Sequence, residues 1–300
     1  MPPVKVSRSA DSDAMLASAS DRSAGAELPT RPIARRRRRW LEPRRDIPVW
    51  AYRALGLAGF ASCLLLWACV SHEELVDPVF LPSPQAVWAA AQASLSDANF
   101  WLDVKASFLR VTAGFLLATA MALPIGLAMG AFKVWEGLLQ PLTEFVRYIP
   151  VPALIPICMV IFGIEERSKI ALIWAGTFFQ LVLMVAEEIR RIPHEMLQVS
   201  YTLGASRWQV VRRVMWCAAK PGIFNALRLC NGWAWTYVVI AELVAANEGL
   251  GYRILKFSRF LQTPRIWVYL VILGLIGLGL DFGFRALNRR LFFWADTRAT

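Results

Sequence analysis

Apolar residues gather in stretches of about 20, the length a helix needs to cross the hydrocarbon core of a bilayer. The runs at 54–70 and 111–132 are free of charge, and those at 148–164 and 170–186 are shorter but apolar throughout. A fifth, 223–246, encloses Arg228 and Glu242, and a sixth, 266–287, encloses Asp281 and Arg285. They predict an all-α polytopic membrane protein of about six transmembrane helices, the first occupying 51–70. Between the fourth and fifth runs the pattern changes to helical periodicity. Met196, Val199 and Leu203 recur before Gly204, and Trp208, Val211 and Met215 after it, so 193–217 reads as two short amphipathic helices turning at the glycine. At 247–265, Leu250, Ile254, Leu255, Phe257 and Leu261 interleave with Arg253, Lys256, Arg259 and Arg265, which suits a helix lying in the headgroup plane with its basic side chains snorkelling.

Composition agrees with lipid as solvent: 57% of the 300 residues are hydrophobic and 18% charged, with 13 Trp. The first 50 residues differ. Ser, Ala, Asp, Arg and Pro dominate up to Arg45, with five consecutive arginines at Arg35 to Arg39, and such a segment is expected to be a disordered basic arm of the cytoplasmic face, while 51–300 forms the transmembrane domain. The net charge of +11 does not point to nucleic acid, because the basic residues flank apolar runs. With the N-terminus inside, 187–222 carries Arg190, Arg191, Arg207, Arg212, Arg213 and Lys220, and the tail carries Arg289, Arg290 and Arg298. The first outside loop, 71–107, has five acids and only Lys105. Both termini are therefore placed in the cytoplasm. The five cysteines lack CxxC spacing and suggest neither disulfides nor a metal site.

Charges within spans are functional candidates by default. Glu242 either has a functional role within the membrane or pairs with a basic residue of the interfacial segment; for a transport protein of the kind resembled below, the first would mean lining a translocation path or bracing an outer gate. Arg228 and Asn231 lie one turn apart and could present donors to an anion, unless Arg228 snorkels to the inner surface. Asp281 and Arg285, spaced i, i+4, are expected to pair. Pro152, with Pro150 and Pro156, either bends a cavity-lining helix or marks an entry turn. Gly126–Gly130 and Gly279–Gly283 offer small faces for close helix packing, and Trp40, Trp50, Trp101, Trp267 and Trp294 lie near span ends as an aromatic belt.

From about 87 to 294 the chain resembles permease subunits of ATP-binding-cassette importers of the nitrate, sulfonate, taurine and bicarbonate group. The stretch Leu203-Gly204-Ala205-Ser206-Arg207-Trp208 resembles the turn of that family's cytoplasmic loop. Gly204 holds the glycine position and Val214 the aliphatic one, whereas the Glu-Ala-Ala positions read Gln198-Val199-Ser200 and the closing Leu-Pro reads Trp216-Cys217, with a proline only at Pro221. Arg147-Tyr148-Ile149-Pro150-Val151-Pro152, Phe162-Gly163-Ile164, Ser168-Lys169-Ile170, Ala241-Glu242 and Gly249-Leu250-Gly251-Tyr252 add to it. The resemblance implies a type I importer permease fold, alternating access, and a coupling hairpin in which Met196, Val199, Ser200, Leu203, Gly204, Ala205 and Arg207 meet a cytoplasmic ATPase. It implies as partners two ATPase subunits, an extracytoplasmic solute-binding protein and a second permease copy in the inner membrane. The solute it implies is a small oxyanion or sulfonate.

The chain has no G-x-x-x-x-G-K-[ST] run, so the expectation is no cofactor of its own, with ATP and Mg held by the partner. A membrane-embedded enzyme is disfavoured, since neither His72 nor His194 completes an H-E-x-x-H and no G-x-S-x-G occurs. An ion-gradient-driven secondary transporter is the remaining alternative, one that usually brings more spans and an internal repeat.

Overall fold

The computed structural model describes residues 47–73 and 75–294; the arginine-rich arm, Trp40 and Arg298 lie outside the described residues. The chain divides into two compact units, 1–61 and 62–300. Helix α1 (Val49–His72) begins in the first and ends in the second. Beyond Arg53 it is apolar on every side, the composition of a helix surrounded by hydrocarbon. In the second unit its last turns are fixed by aromatic contact: Trp67 stacks on Trp267 at 5.1 Å and donates its indole N–H to the Pro82 carbonyl at 3.0 Å.

The second unit continues with α2 (Pro84–Leu95), α3 (Ala98–Ala131), α4 (Lys133–Arg147), a 3-10 turn (Val151–Leu154), α5 (Ile155–Phe162), α6 (Glu166–Arg190) and α7 (His194–Thr202). It ends with α8 (Arg207–Gln209), a π-helical segment (Val210–Met215), α9 (Trp216–Ala245), α10 (Leu250–Arg259) and α11 (Thr263–Leu291). Ser83 caps α2 and Asp97 caps α3, each side chain accepting a backbone N–H of the first turn. The bond from the Asn99 N–H holds the Asp97 carboxyl below the usual carboxylate range.

Four helices of the described residues are long and apolar enough to cross a membrane: α1, α3, α6 and α11. Helix α9, at 30 residues, has the length but carries Lys220, Arg228 and Glu242. The expected span at 148–164 needs correction. Helix α4 and the segment Val151–Phe162 pass as one span only when counted together, and they meet at 96°. Pro150, extended at ψ 125°, breaks the helix, while Pro152 and Pro156 sit in the first turns of the 3-10 segment and α5, where a missing N–H leaves nothing unpaired. The prolines thus mark an entry turn into a short broken helix.

Helix α3 is the spine. Its 34 residues span about 51 Å, longer than a ~30 Å hydrocarbon core, so its first turns can carry charge. It packs along α6 through a seam of small residues. A Cβ on Gly114 would meet Ile173 at 2.8 Å, one on Gly126 Val185 at 2.7 Å, and one on Gly130 Ile189 at 2.6 Å. In lipid, where no hydrophobic force joins helices, such close backbone approach supplies the packing energy. Gly279 and Gly283, the other pair singled out, face open space.

Candidate functional site

Three polar or exposed constellations sit at successive levels of this unit. The first is the hairpin after α6. Helix α7 ends in a C-cap in which the Ala205 N–H reaches the Ser200 carbonyl at 3.1 Å and the Gly204 N–H reaches Tyr201 at 2.9 Å, a Schellman closure with Gly204 at φ 81°. No atom lies within 4 Å of where a Gly204 Cβ would stand, so conformation alone selects glycine. Ser206 and Gln209 then form a reciprocal capping box that starts the next helix. That helix differs from expectation. It is not a second short element, because Arg207–Gln209 runs through the π-helical Val210–Met215 directly into α9.

The tip turns its apolar side chains outward: Met196, Val199 and Trp208 are exposed, and Leu203 is 82% exposed. Ser200 is half-buried and donates to the Met196 carbonyl at 2.8 Å, and Ala205 packs against the core. Arg207 lines a cleft of about 450 Å³ behind α7, together with His194, Gln198 and Tyr201. The seven residues named for coupling therefore share one short stretch, with its tip uncovered by any described residue.

The second constellation lies at the opposite end of α3. Helix α10 starts at Gly249 with no side-chain cap of its own, and three other side chains receive its first amides. Asp103 accepts the Gly249 N–H at 2.8 Å, Ser107 the Leu250 N–H at 2.9 Å, and Glu242 the Gly251 N–H at 2.8 Å. Glu242 also accepts from Ser107 at 2.7 Å and from the Arg110 guanidinium at 2.8 Å. Arg110 grips Glu166 in a fork at 2.5 and 2.8 Å, Lys169 reaches Glu166 at 2.7 Å, and Arg253 reaches Asp103 at 2.6 Å. Asp103 and Glu242 are wholly buried. Gly249, at φ 123°, leaves no room for a Cβ beside the Glu242 carboxyl, and a Cβ on Gly251 would meet the Val239 carbonyl at 2.7 Å. The Gly249-Leu250-Gly251 spacing is thus what lets a helix start press onto a buried carboxylate.

Within this network Glu242 is sealed among helices and pairs with Arg110 of α3, not with a basic residue of the interfacial segment. Arg253 does not snorkel either, being tied to buried Asp103, whereas Lys256 and Arg259 are exposed. The other path candidates are scattered. Arg228 faces Asp281 at 3.4 Å, which in turn pairs with Arg285 at 2.7 Å, the i, i+4 pair expected from sequence. Asn231 is half-buried in α9, and Pro152 is exposed in its 3-10 turn.

The third constellation is a cleft of about 190 Å³ between α4, the 3-10 turn, α6 and α9. Its polar lining is Arg147, Gln180, Trp233 and Tyr237. None of these was singled out as a path residue from sequence, since they come from three separate helices that no local pattern joins. Asp103, Ser107 and Arg110 were also missed, although their i, i+4, i+7 spacing was a visible helical face.

Residues 114–293 match the family of binding-protein-dependent transport system inner membrane components. The chain belongs to this family. It is 33% identical over 245 residues to the taurine transport system permease protein of Escherichia coli (strain K12), covering 80% of this chain and 89% of that one. It is 29% identical to a putative aliphatic sulfonates transport permease protein of Bacillus subtilis (strain 168), covering 81% and 88%, and 27% identical to the bicarbonate transport system permease protein of Synechococcus elongatus (strain ATCC 33912 / PCC 7942 / FACHB-805), covering 76% and 85%. A chain of the inward-facing MetNI methionine ABC transporter superposes with a TM-score of 0.54 at 22% identity, covering 64% of this chain and 94% of that one. The fold is that of type I ABC importer permeases, and the protein is a multi-pass transport component whose family displaces the ion-gradient alternative.

Proposed function

We propose that this binding-protein-dependent permease forms the translocation path of an importer for a small oxyanion or sulfonate, driven by ATP that two separate ATPase subunits bind with Mg and hydrolyse. The observation that carries it is the hairpin tip: Met196, Val199 and Leu203 are held outward by two well-capped helix ends and left uncovered by the described residues. An exposed apolar tip on a rigid mount suits a docking contact. The solute class is supported by relatives named for taurine, aliphatic sulfonates and bicarbonate.

A second copy of the chain completes the path, and an extracytoplasmic binding protein delivers the solute. Both termini, with the basic arm 1–50, face the cytoplasm alongside the hairpin at 193–217, in keeping with the arginines of 187–222. Closure of the ATPase pair draws two hairpins together and rocks the spans, and hydrolysis resets them. The test is gentle extraction of the tagged chain with identification of what accompanies it. A P-loop ATPase at one copy per permease is expected; a permease recovered without one overturns the reading.

A further inference from the structure

We propose that the cleft between α4, α6 and α9 is an anion subsite on the translocation path, with Arg147 as its charge-recognising group and Gln180, Trp233 and Tyr237 as neutral donors. This rests on the proposed function above.

The composition of the lining carries the inference. Every polar side chain that lines the cleft can donate a hydrogen bond, and no Asp or Glu is among the lining residues. Arg147 makes no ion pair among the described residues. Its Nη2 donates to the neighbouring Tyr148 hydroxyl at 2.9 Å, and its guanidinium lies 4.8 Å from that ring, so its charge is unmatched by any carboxylate. Four other cations of this unit, Arg110, Lys169, Arg228 and Arg253, each have a carboxylate within reach. The Gln180 amide has no hydrogen-bond partner among the described residues. An unpaired guanidinium with spare donors around it is the arrangement that recognises sulfonate, carboxylate or bicarbonate oxygens.

Position and size agree. Gln180 lies ten residues from the inner end of α6 and Gly176 ten from its outer end, so the cleft sits about 15 Å from either end of the helix. At about 190 Å³ it falls below the ~300–1,000 Å³ of pockets for drug-sized ligands, which suits a small solute. Its wall is fixed: a Cβ on Gly176 would meet the Tyr237 ring at 2.6 Å, so that ring is laid flat against the backbone of α6.

The experiment measures initial uptake of labelled taurine, methanesulfonate and bicarbonate by cells that lack the native chain and express it, or a variant, beside its own partners. Chain abundance in the membrane and ATP hydrolysis by vesicles are followed in parallel. Arg147 is exposed, so Arg147→Gln is expected to fold; it should lower uptake of the transported anion about 10- to 100-fold at equal abundance and nearly equal hydrolysis. Arg147→Lys, which keeps the charge but not the planar fork, should restore part of the rate, and Gln180→Leu should cost about 3- to 10-fold. Equal uptake by wild type and Arg147→Gln overturns the subsite while leaving the importer reading standing. Uptake of none of the three probes by the wild type overturns that reading and the subsite with it. A loss by Arg147→Gln that Arg147→Lys does not relieve assigns Arg147 a shape role and also overturns the subsite.

Discussion

The two ends of the permease bundle reverse the ordinary distribution of polar and apolar groups. At the end where α10 starts, Asp103, Ser107, Arg110 and Glu242 are sealed among helices and matched hydrogen bond for hydrogen bond. At the hairpin end, Met196, Val199, Leu203 and Trp208 stand in the open. A buried polar cluster persists only if all its members stay together, because loss of one partner strands the rest. An exposed apolar cluster can be altered with little consequence for its own chain and serves only if something else covers it. On the proposed function, one end is specified by internal satisfaction and the other by an external partner, and substitutions should separate them.

The largest effect is expected at the sealed end. Glu242→Ala leaves the Ser107 donor and the Gly251 N–H without their acceptor and takes one carboxylate from Arg110, a cost of about 2–4 kcal/mol, and the chain should largely disappear from detergent extracts by size-exclusion fluorescence. Retention of a wild-type profile would mean that the network does not hold the fold. Gly249→Ala should follow at about 2–3 kcal/mol, combining a positive φ of 123° with collision against Glu242, and would show as a lowered thermal midpoint.

At the hairpin the same measurements should barely move. Leu203→Asp is expected to leave thermal stability within about 0.5 kcal/mol but to weaken ATPase recovery roughly 30-fold, measured by quantitative pull-down. Gly204→Val forces a β-branched residue to φ 81° at a local cost of about 1–2 kcal/mol, and should uncouple hydrolysis from uptake with the bundle intact. The smallest effect is Ser206→Ala, which removes half the capping box at about 1 kcal/mol and should be visible as faster amide exchange confined to the residues around 204–210. A uniform loss of stability from these three would erase the distinction between the two ends.

The two ends also differed in how far sequence revealed them. The hairpin was legible because its signals are local: apolar spacing on either side of a glycine, all within 25 residues. Its exit was not, since Trp208, Val211 and Met215 keep helical spacing whether a helix stops or, as here, passes through a π-turn into α9. The sealed network was nearly invisible. A search for charge-free runs starts a span at Val111, whereas the helix begins at Ala98, and of the charges that hid the first turns Asp103 and Arg110 fold inward while Lys105 stays exposed. Ser107 and Glu242 are 135 positions apart, a separation no periodicity reports. The run at 148–164 failed in the opposite sense, being apolar enough for a span while three prolines divide it. Helix α11 was the reverse, read as a span at 266–287 in spite of Asp281 and Arg285 and found to hold one of the most apolar windows in the chain.

The glycine seam between α3 and α6 bears on how this sequence can vary. At Gly114, Gly126 and Gly130 the opposing Ile173, Val185 and Ile189 side chains already occupy the volume of a methyl group. No single substitution at those positions enlarges one side without evicting the other, so an acceptable change requires a paired step, one residue growing as its neighbour shrinks. Variation should therefore accumulate freely on the lipid-facing surfaces of α1 and α11 and reach this seam only by such coordinated exchanges.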